Sequence, residues 1–166
     1  YGEKFFPLPK PQIFETASRV MSLRDGLSKM SKSDNSDYSR INLRDSIDEI
    51  VLKFKKAKSD PSPLPYSVAE LKDRHEAKNL VAIYSALSKK TETEVLNDFG
   101  GKGFGVFKPS LADLAVSVLE PINYELNKLL KDKNHLISTL NKGAQKANKA
   151  SFSVLSDVRS LVGFVR

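Results

Sequence analysis

The sequence predicts a mainly α-helical protein with a short strand-containing segment at its N-terminal end. From about residue 45 onward, apolar residues recur three and four positions apart, which is the period of one face of a helix. Pairs of the form Ser/Thr-x-x-Glu, typical of helix starts, stand before such stretches. Strand character is confined to about the first 35 residues. Because a lone strand is unstable, we interpret this segment as the end of a sheet-containing domain whose body lies upstream.

The N-terminal segment is predicted to be extended and then to turn. Three prolines hold residues 5–12 extended. The short apolar run SRVMSL, residues 18–23, is typical of a strand or extended piece. Asp25-Gly26 predicts a turn, and the polar stretch KMSKSD, residues 29–34, follows it as a loop.

A first helix is predicted from the apolar stripe that begins at Ile47 and includes Phe54. Asp45 is placed to cap its start, and lysines at positions 53, 55, 56 and 58 are favourable near its C-terminal end. Three prolines within residues 59–66 then end this helix.

Capping pairs mark the next helix starts. Ser67 with Glu70 predicts a short helix, and Thr91 with Glu94 predicts one that ends at Gly100. Between them a helical stripe is formed by four apolar residues, namely Leu80, Ile83, Tyr84 and Leu87.

Two helices are predicted in the remainder of the chain. Pro109 suits a first helical turn, and Pro121 should kink or end that helix. The stretch GGKGFG, residues 100–105, lacks the spacing of a phosphate-binding loop and is predicted to be a turn. A last helix or helix pair is predicted from about Asn134, with Gly163 as its C-cap.

The composition narrows the classes of partner. The 166 residues include 27 Lys and Arg against 20 Asp and Glu, and the net charge of +7 favours a nucleic acid or a phosphorylated small molecule. The alternative is that the net charge reflects only a basic surface with no polyanionic partner. The absence of cysteine excludes disulfides and cysteine-based zinc sites. Neither His75 nor His135 has partners at metal-ligand spacing, so no metal site is expected.

No membrane-spanning segment is predicted, because no apolar run reaches about 18 residues. The first residues contain an acid and three prolines, and they do not resemble a signal or transit peptide. The chain does not begin with Met. We therefore expect a fragment, with any targeting segment lying upstream.

The KMSKSD loop offers one kind of chemistry. Lys29 and Lys32 lie three positions apart, and Ser31 and Ser33 stand beside them. Lysine is a compact, flexible point charge that often contacts phosphate, and serine hydroxyls can donate to phosphate oxygens. The stretch contains no nucleophile or general base, so it can act only by electrostatic stabilisation. A solvated basic loop is the alternative reading of these residues.

The string KMSKS resembles the second signature motif of class I aminoacyl-tRNA synthetases. Other blocks resemble the tryptophanyl-tRNA synthetases in the same order and cover nearly the whole chain. They are SRVMSLRDGLSKMSKSD, NLVAIYSALS, GKGFGVFKPSLADLAVSVLEPI and KGAQKAN. The GKGFGVFK block favours the tryptophanyl over the tyrosyl family, while DKNHL and RSLVGF are most similar to the mitochondrial branch of the bacterial-type enzymes.

This resemblance implies ATP-dependent activation of L-tryptophan and transfer of the aminoacyl group to tRNA(Trp), with Mg2+ accompanying ATP. It implies that residues 1–42 end a Rossmann-like α/β catalytic domain and that residues 43–166 form a helical anticodon-binding domain. The first family signature, of the His-Ile-Gly-His type, does not occur in the sequence. We therefore expect a C-terminal part that is inactive alone, from a homodimeric enzyme of the mitochondrial matrix or, alternatively, of a bacterial cytoplasm.

The resemblance also assigns roles to residues. Lys29 and Lys32 are the catalytic lysines that bind the ATP phosphates, with Lys32 closest to the leaving pyrophosphate. Met30 holds the adenine through its backbone and Val20 packs near it, while Ser31 and Ser33 complete the ATP-binding loop.

Three lysines are candidates for tRNA contact. Lys142, Lys146 and Lys149 are spaced to share one helix face, and the family implies that the C-terminal helices hold the anticodon region. The alternative for each lysine is a position on a solvent-exposed helix face without contact to tRNA. Two further readings of the chain stay open: a tyrosyl enzyme, and a helical RNA-binding module without catalytic activity.

Overall fold

The computed structural model describes residues 5–13 and 19–164, and this part of the chain is mainly helical, as predicted. It contains five α-helices: α1 (Ile47–Lys56), α2 (His75–Ser88), α3 (Glu92–Phe99), α4 (Phe104–Lys131) and α5 (Lys133–Leu161). Short 3₁₀ turns lie at Asp37–Ser39 and Val68–Leu71. The described residues include no strand; an isolated antiparallel bridge joins Met21 to Lys29 where a strand or extended piece was predicted. Ser18, the first residue of that prediction, lies outside the described residues.

The chain forms two compact units. One comprises Ile13–Glu125, and the other comprises Tyr1–Gln12 together with Leu126–Arg166. The hydrophobic core described here belongs to the first unit and draws on α1 to α4. At its centre Phe107 is fully buried, and its ring lies 5.1 Å from that of Phe99 and 5.6 Å from that of Tyr84. Such edge-on and tilted aromatic contacts add to the stabilisation that burial provides. Leu23, from the segment before the first helix, is buried in the same core.

The first helix begins one residue later than predicted. Ser46, not Asp45, is its N-cap: the Ser46 hydroxyl accepts from the Glu49 N–H, and the Glu49 carboxylate accepts from the Ser46 N–H at 2.7 Å. The Asp45 carboxylate is instead engaged by the Asn42 N–H at 2.8 Å and by Lys53. The prediction for Asp45 was wrong because a buried lysine competes for it.

The two other predicted capping pairs behave differently. Thr91 and Glu94 form the predicted capping box at the start of α3. Ser67 does not cap a backbone N–H; its hydroxyl donates to Glu70 at 2.6 Å, and the segment is a 3₁₀ turn rather than an α-helix.

Both prolines of α4 lie inside the helix: Pro109 lies beyond the first turn, contrary to the prediction, and Pro121 does not end the helix, while a kink at Pro121 stays a prediction. The helix begins five residues before Pro109, at Phe104, and it continues ten residues beyond Pro121. A proline frees the carbonyl of the residue four positions earlier. For Pro121 that residue is Ser117, and both are exposed, so water can satisfy the freed carbonyl.

The last helix is one continuous element rather than a pair. Its N-cap is Asp132, whose carboxylate accepts from the His135 N–H at 2.9 Å. Gly163 follows its end with φ of 78°, as expected for a C-cap glycine. No residue of α5 is buried, and Phe152 is 73% exposed. Within the described residues, no helix is long and apolar enough to cross a membrane.

The capping box of α3 predicts an acid-sensitive contribution to stability. Hydrogen bonds from the backbone N–H and the hydroxyl of Thr91 lower the pKa of Glu94. A carboxyl whose folded pKa is lowered stabilises the fold above its unfolded pKa, and this contribution is lost as the pH falls through the folded value. We expect Glu94→Gln, which still accepts a hydrogen bond but does not titrate, to lose less stability than the wild type between about pH 5 and pH 3. Urea unfolding followed by circular dichroism across this range would measure it; equal losses would contradict the assignment.

Candidate nucleotide-binding site

The residues before the KMSKSD loop form a narrow two-armed ribbon, residues 20–30. Two backbone hydrogen bonds close it, one from Ser22 N–H to the Ser28 carbonyl (2.8 Å) and one from Met30 N–H to the Val20 carbonyl (3.1 Å). The predicted turn lies at its tip, where the Asp25 carboxylate accepts from the backbone N–H of residue 27 and from the hydroxyl of Ser28. The ribbon therefore delivers the loop at a fixed place.

The tip of the ribbon rests on the N-terminal end of α2. A Cβ on Gly26 would lie 2.6 Å from the backbone nitrogen of Glu76, so only glycine fits there. The Glu76 side chain pairs with Lys58 at 2.9 Å, and the Lys58 backbone N–H donates to the carbonyl of Leu23 in the ribbon at 2.7 Å. The hydrogen bond and charge of Lys58 are the leading interactions that lower the pKa of Glu76. Lys58 was predicted to favour the end of α1; it lies beyond that end and links the ribbon to α2.

Arg40 closes the other side of the KMSKSD loop. Its guanidinium donates to the carbonyl of Asp34 at 3.0 Å and lies 3.5 Å from the carbonyls of Ser31 and Ser36. It also pairs with Asp37 at 2.9 Å. A planar group with five donors can hold several carbonyls at once. Arg40 thereby fixes the curvature of the loop, a role that no motif in the sequence indicated.

A cleft of about 930 Å³ opens beside the loop. It brings together five of the six predicted ATP-binding residues, whereas Ser33 is not among its lining residues. The lining comprises Arg19, Val20, Lys29, Met30, Ser31, Lys32, Arg40, Ile41, Asn42, Leu43, Arg44, Asp45 and Glu49.

The charges of this cleft suit an anion. Arg19, Arg40 and Arg44 line it together with Lys29 and Lys32. The two carboxylates in the lining are already engaged, one with a buried lysine and the other in the capping box of α1. Five cationic side chains therefore line the cleft, whereas both of its carboxylates already have partners. The arginines were missed from the sequence because they stand outside the motif and converge only in the fold.

A buried lysine forms an ion pair with Asp45, which lines the cleft. Lys53 is 3% exposed and pairs with Asp45 at 2.6 Å and Asp37 at 2.7 Å. Burial by itself lowers the pKa of Lys53, but the two carboxylates outweigh it and the pKa is raised. The sequence predicted only that this lysine is favourable near the C-terminal end of α1, and it lies in the last turn. Its burial was not predicted, and its ion pair with Asp45 ties α1 to the segment that lines the cleft.

The described residues contain no cluster of three or more histidines or carboxylates suited to a metal ion. Asp45 and Glu49, the carboxylates of the cleft, are committed to Lys53 and to Ser46. The donor set therefore does not fit a protein-bound Mg2+, and we assign no step to that ion.

The three lysines predicted to contact tRNA belong to the other compact unit. Lys142, Lys146 and Lys149 lie on α5 and are exposed. Among residues 5–13 and 19–164, no ion pair involves them.

Comparison with known proteins identifies a family for this arrangement. The family model described as "tRNA synthetases class I (W and Y)" matches residues 1–120. A tryptophan–tRNA ligase of Caulobacter vibrioides is 56% identical over 160 residues, which are 96% of this chain and 46% of that relative. A tryptophan–tRNA ligase of Rickettsia typhi is 41% identical over 165 residues, 99% of this chain and 49% of that relative. The chain thus spans about half the length of these relatives, which are bacterial and do not support the prediction of a mitochondrial branch.

Solved structures share the fold. The tryptophanyl-tRNA synthetase of Mycoplasma pneumoniae has a TM-score of 0.69 at 23% identity, over 90% of this chain and 46% of that one. The enzyme of Campylobacter jejuni complexed with ADP and tryptophan has a TM-score of 0.65 at 23% identity, over 96% of this chain and 48% of that one. The mainly helical fold class is therefore confirmed. With a family model matched over residues 1–120 of 166, this chain belongs to the class I tRNA synthetases of the W and Y group.

Proposed function

We propose that the chain is the C-terminal part of a tryptophan–tRNA ligase and that its cleft binds the phosphates of ATP. The observation that carries the proposal is the convergence of Lys29 and Lys32 with Val20 and Met30 in one cationic cleft. The 56% identity to a tryptophan–tRNA ligase and the ADP and tryptophan complex of the Campylobacter jejuni enzyme support the choice of ligands.

In the proposed reaction the carboxylate of tryptophan forms a bond to the α-phosphorus of ATP while the bond to pyrophosphate breaks. Negative charge builds up on the departing pyrophosphate, and the ammonium groups of Lys29 and Lys32 stabilise it. Both lysines are exposed and free to move toward a ligand. Contacts that strengthen as the charge develops lower the barrier, whereas equal binding of ATP throughout would not.

The other residues of the site hold the nucleotide and shape the loop. Met30 and Val20 are partly buried at the adenine side, and their backbones are paired with each other in the ribbon. The hydroxyls of Ser31 and Ser33 lie 2.9 Å apart, which leaves both available to a phosphate oxygen by rotation. Mg2+ would arrive on the ATP phosphates rather than on a protein site.

The test is ATP–pyrophosphate exchange in the full-length protein that contains this chain. We expect exchange with tryptophan and none with tyrosine, and no exchange from residues 1–166 alone. Exchange that depends on tyrosine would show that tyrosine, not tryptophan, is the substrate. Binding of tRNA without any exchange would instead identify a non-catalytic RNA-binding module and overturn the proposal.

We further propose that α5 contacts tRNA phosphates through Lys142, Lys146 and Lys149. Each phosphate contact releases counterions, so the logarithm of the affinity falls with the logarithm of salt concentration. We expect each Lys→Ala variant to reduce that slope by about 0.7–0.9 without changing the preference for tRNA(Trp). Filter binding between about 50 and 200 mM salt measures the slope. Lys72→Ala, an exposed lysine of the other unit, is the control, and an unchanged slope in all three variants would refute the contact.

The remaining features of the whole enzyme are proposed with the same function. Residues 1–42 end the nucleotide-binding domain and residues 43–166 form the anticodon-binding domain. The full-length enzyme is a homodimer that works where bacterial-type translation takes place. The bacterial relatives favour a bacterial cytoplasm over a mitochondrial matrix.

A further inference from the structure

Among the described residues, no strand covers the outer backbone edge at Met21 of the ribbon that carries the KMSKSD loop. Met21 and Lys29 face each other as a bridge whose hydrogen bonds are made by their neighbours, Ser22 with Ser28 and Met30 with the residue before Met21. In such a pair the N–H and carbonyl of each bridging residue point away from the other arm. The N–H and carbonyl of Met21 therefore need partners outside the ribbon.

Asn79 on α2 supplies both partners with one side chain. Its Oδ1 accepts from the Met21 N–H at 2.9 Å, and its Nδ2 donates to the Met21 carbonyl at 2.9 Å. Its Nδ2 also lies 3.5 Å from the carbonyl of Ser22. Asn79 is 6% exposed, so water does not replace these bonds readily. An amide has one acceptor and two donor hydrogens at the required spacing, and it thus takes the place of a neighbouring strand.

The same helix holds the ribbon at a second point. The backbone of Glu76 lies against Gly26 at the tip, and the Asn79 side chain contacts Met21 near the base. Residues three apart lie on one face of a helix. α2 therefore contacts the ribbon at two places three residues apart, and a displacement of α2 would be passed to the base of the loop.

We propose that Asn79 is a positioning residue of the adenylation reaction: through Met21 it fixes the ribbon that places Lys29 and Lys32 against the triphosphate. This inference rests on the proposed function. Asn79 does not touch the cleft, and it acts through the backbone of the ribbon. A small displacement of a catalytic group can lower a rate by about 10²-fold, so the contact matters for catalysis as well as for stability.

A matched control is available on the same helix. Ser85, six residues beyond Asn79, is 1% exposed, and its hydroxyl donates to the Lys90 carbonyl at 2.6 Å rather than to the ribbon. Asn79→Ala and Ser85→Ala both truncate a buried, hydrogen-bonded side chain of α2, but only the first removes the bonds to Met21. Asn79→Asp keeps the size and the acceptor while it removes the donor to the Met21 carbonyl.

The first measurement is amide hydrogen exchange on residues 1–166, which needs no enzymatic activity. We expect Asn79→Ala to accelerate exchange across residues 20–33, and Ser85→Ala to leave that segment unchanged. If Asn79→Ala does not fold, Asn79→Asp gives the same comparison. Equal exchange in residues 20–33 for the Asn79 and Ser85 variants would overturn the proposal, whether or not the protein is a ligase.

The second measurement is ATP–pyrophosphate exchange in the full-length protein at a temperature where all variants are folded. We expect Asn79→Ala to lower kcat by about 10–100-fold with the KM for tryptophan unchanged, and Ser85→Ala to retain the wild-type rate. Equal rates for the two variants would overturn the positioning role. No exchange in the wild type would overturn the proposed function and, with it, the catalytic part of this inference, even where the hydrogen-exchange result stands.

Discussion

We expect Lys32→Ala in the full-length protein to reduce tryptophan-dependent ATP–pyrophosphate exchange by about 10²–10³-fold, the loss seen when one preorganised donor to a developing negative charge is removed. Lys32 is an exposed side chain on the cleft, and it makes no ion pair among the described residues. Its removal should therefore act on the reaction rather than on folding. Steady-state exchange rates measure the effect on the reaction, and unfolding curves for each variant show whether folding is changed.

The kinetic pattern distinguishes the proposed role from simple binding. If the Lys32 contact strengthens as pyrophosphate leaves, kcat falls while the KM for ATP is unchanged, whereas loss of a simple binding contact would raise the KM for ATP. Lys72→Ala makes the same chemical change at an exposed position that does not line the cleft, and it should leave the rate unaltered. A Lys32→Ala enzyme with the wild-type rate would remove Lys32 from the catalytic site.

Lys53→Met should destabilise the protein by about 3–5 kcal/mol, because it leaves Asp45 buried without its counter-charge. Asp45 is 7% exposed and Lys53 is 3% exposed, so water can compensate neither partner fully. Methionine fills a similar volume, which separates the loss of charge from the creation of a cavity. Urea unfolding of residues 1–166 would report the difference in free energy.

Two variants make this test specific. Lys55→Met, on the same helix but exposed, should change the free energy of unfolding by less than about 0.5 kcal/mol. Adding Asp45→Asn to Lys53→Met should recover part of the loss, because the uncompensated charge is removed while an acceptor for the Asn42 N–H is kept. Similar losses in Lys53→Met and Lys55→Met would show that the ion pairs of Lys53 do not contribute.

Much of the fold could be predicted because its determinants are local. The apolar period placed α1 to α5, and Thr91 with Glu94 is three residues apart in both sequence and structure. Predictions were wrong where a distant partner decides. Asp45 was predicted to cap α1, but Lys53, eight residues away, binds its carboxylate. Pro121 was predicted to kink or end α4, but the helix continues past it at a place where Ser117 and Pro121 are both exposed.

The candidate site divides in the same way. The lysines of the loop are recognisable because the motif is contiguous in sequence. The groups that hold the loop are not recognisable in the sequence. Arg40 donates to three backbone carbonyls and Asn79 bonds to the backbone of Met21, and such contacts leave no periodic pattern. Arg19 and Arg44 likewise join the cleft only when residues 19–49 are brought together.

The distance along the chain between Met21 and Asn79 also bears on how the protein is made. The two residues are 58 positions apart, so the ribbon leaves the ribosome well before the side chain that completes it. At synthesis rates of about 5–20 residues per second, that interval is roughly 3–12 s. During this time the backbone edge of Met21 is open to other nascent segments. A pause in translation between these codons would lengthen the exposure, and a chaperone that protects extended edges would act in this interval.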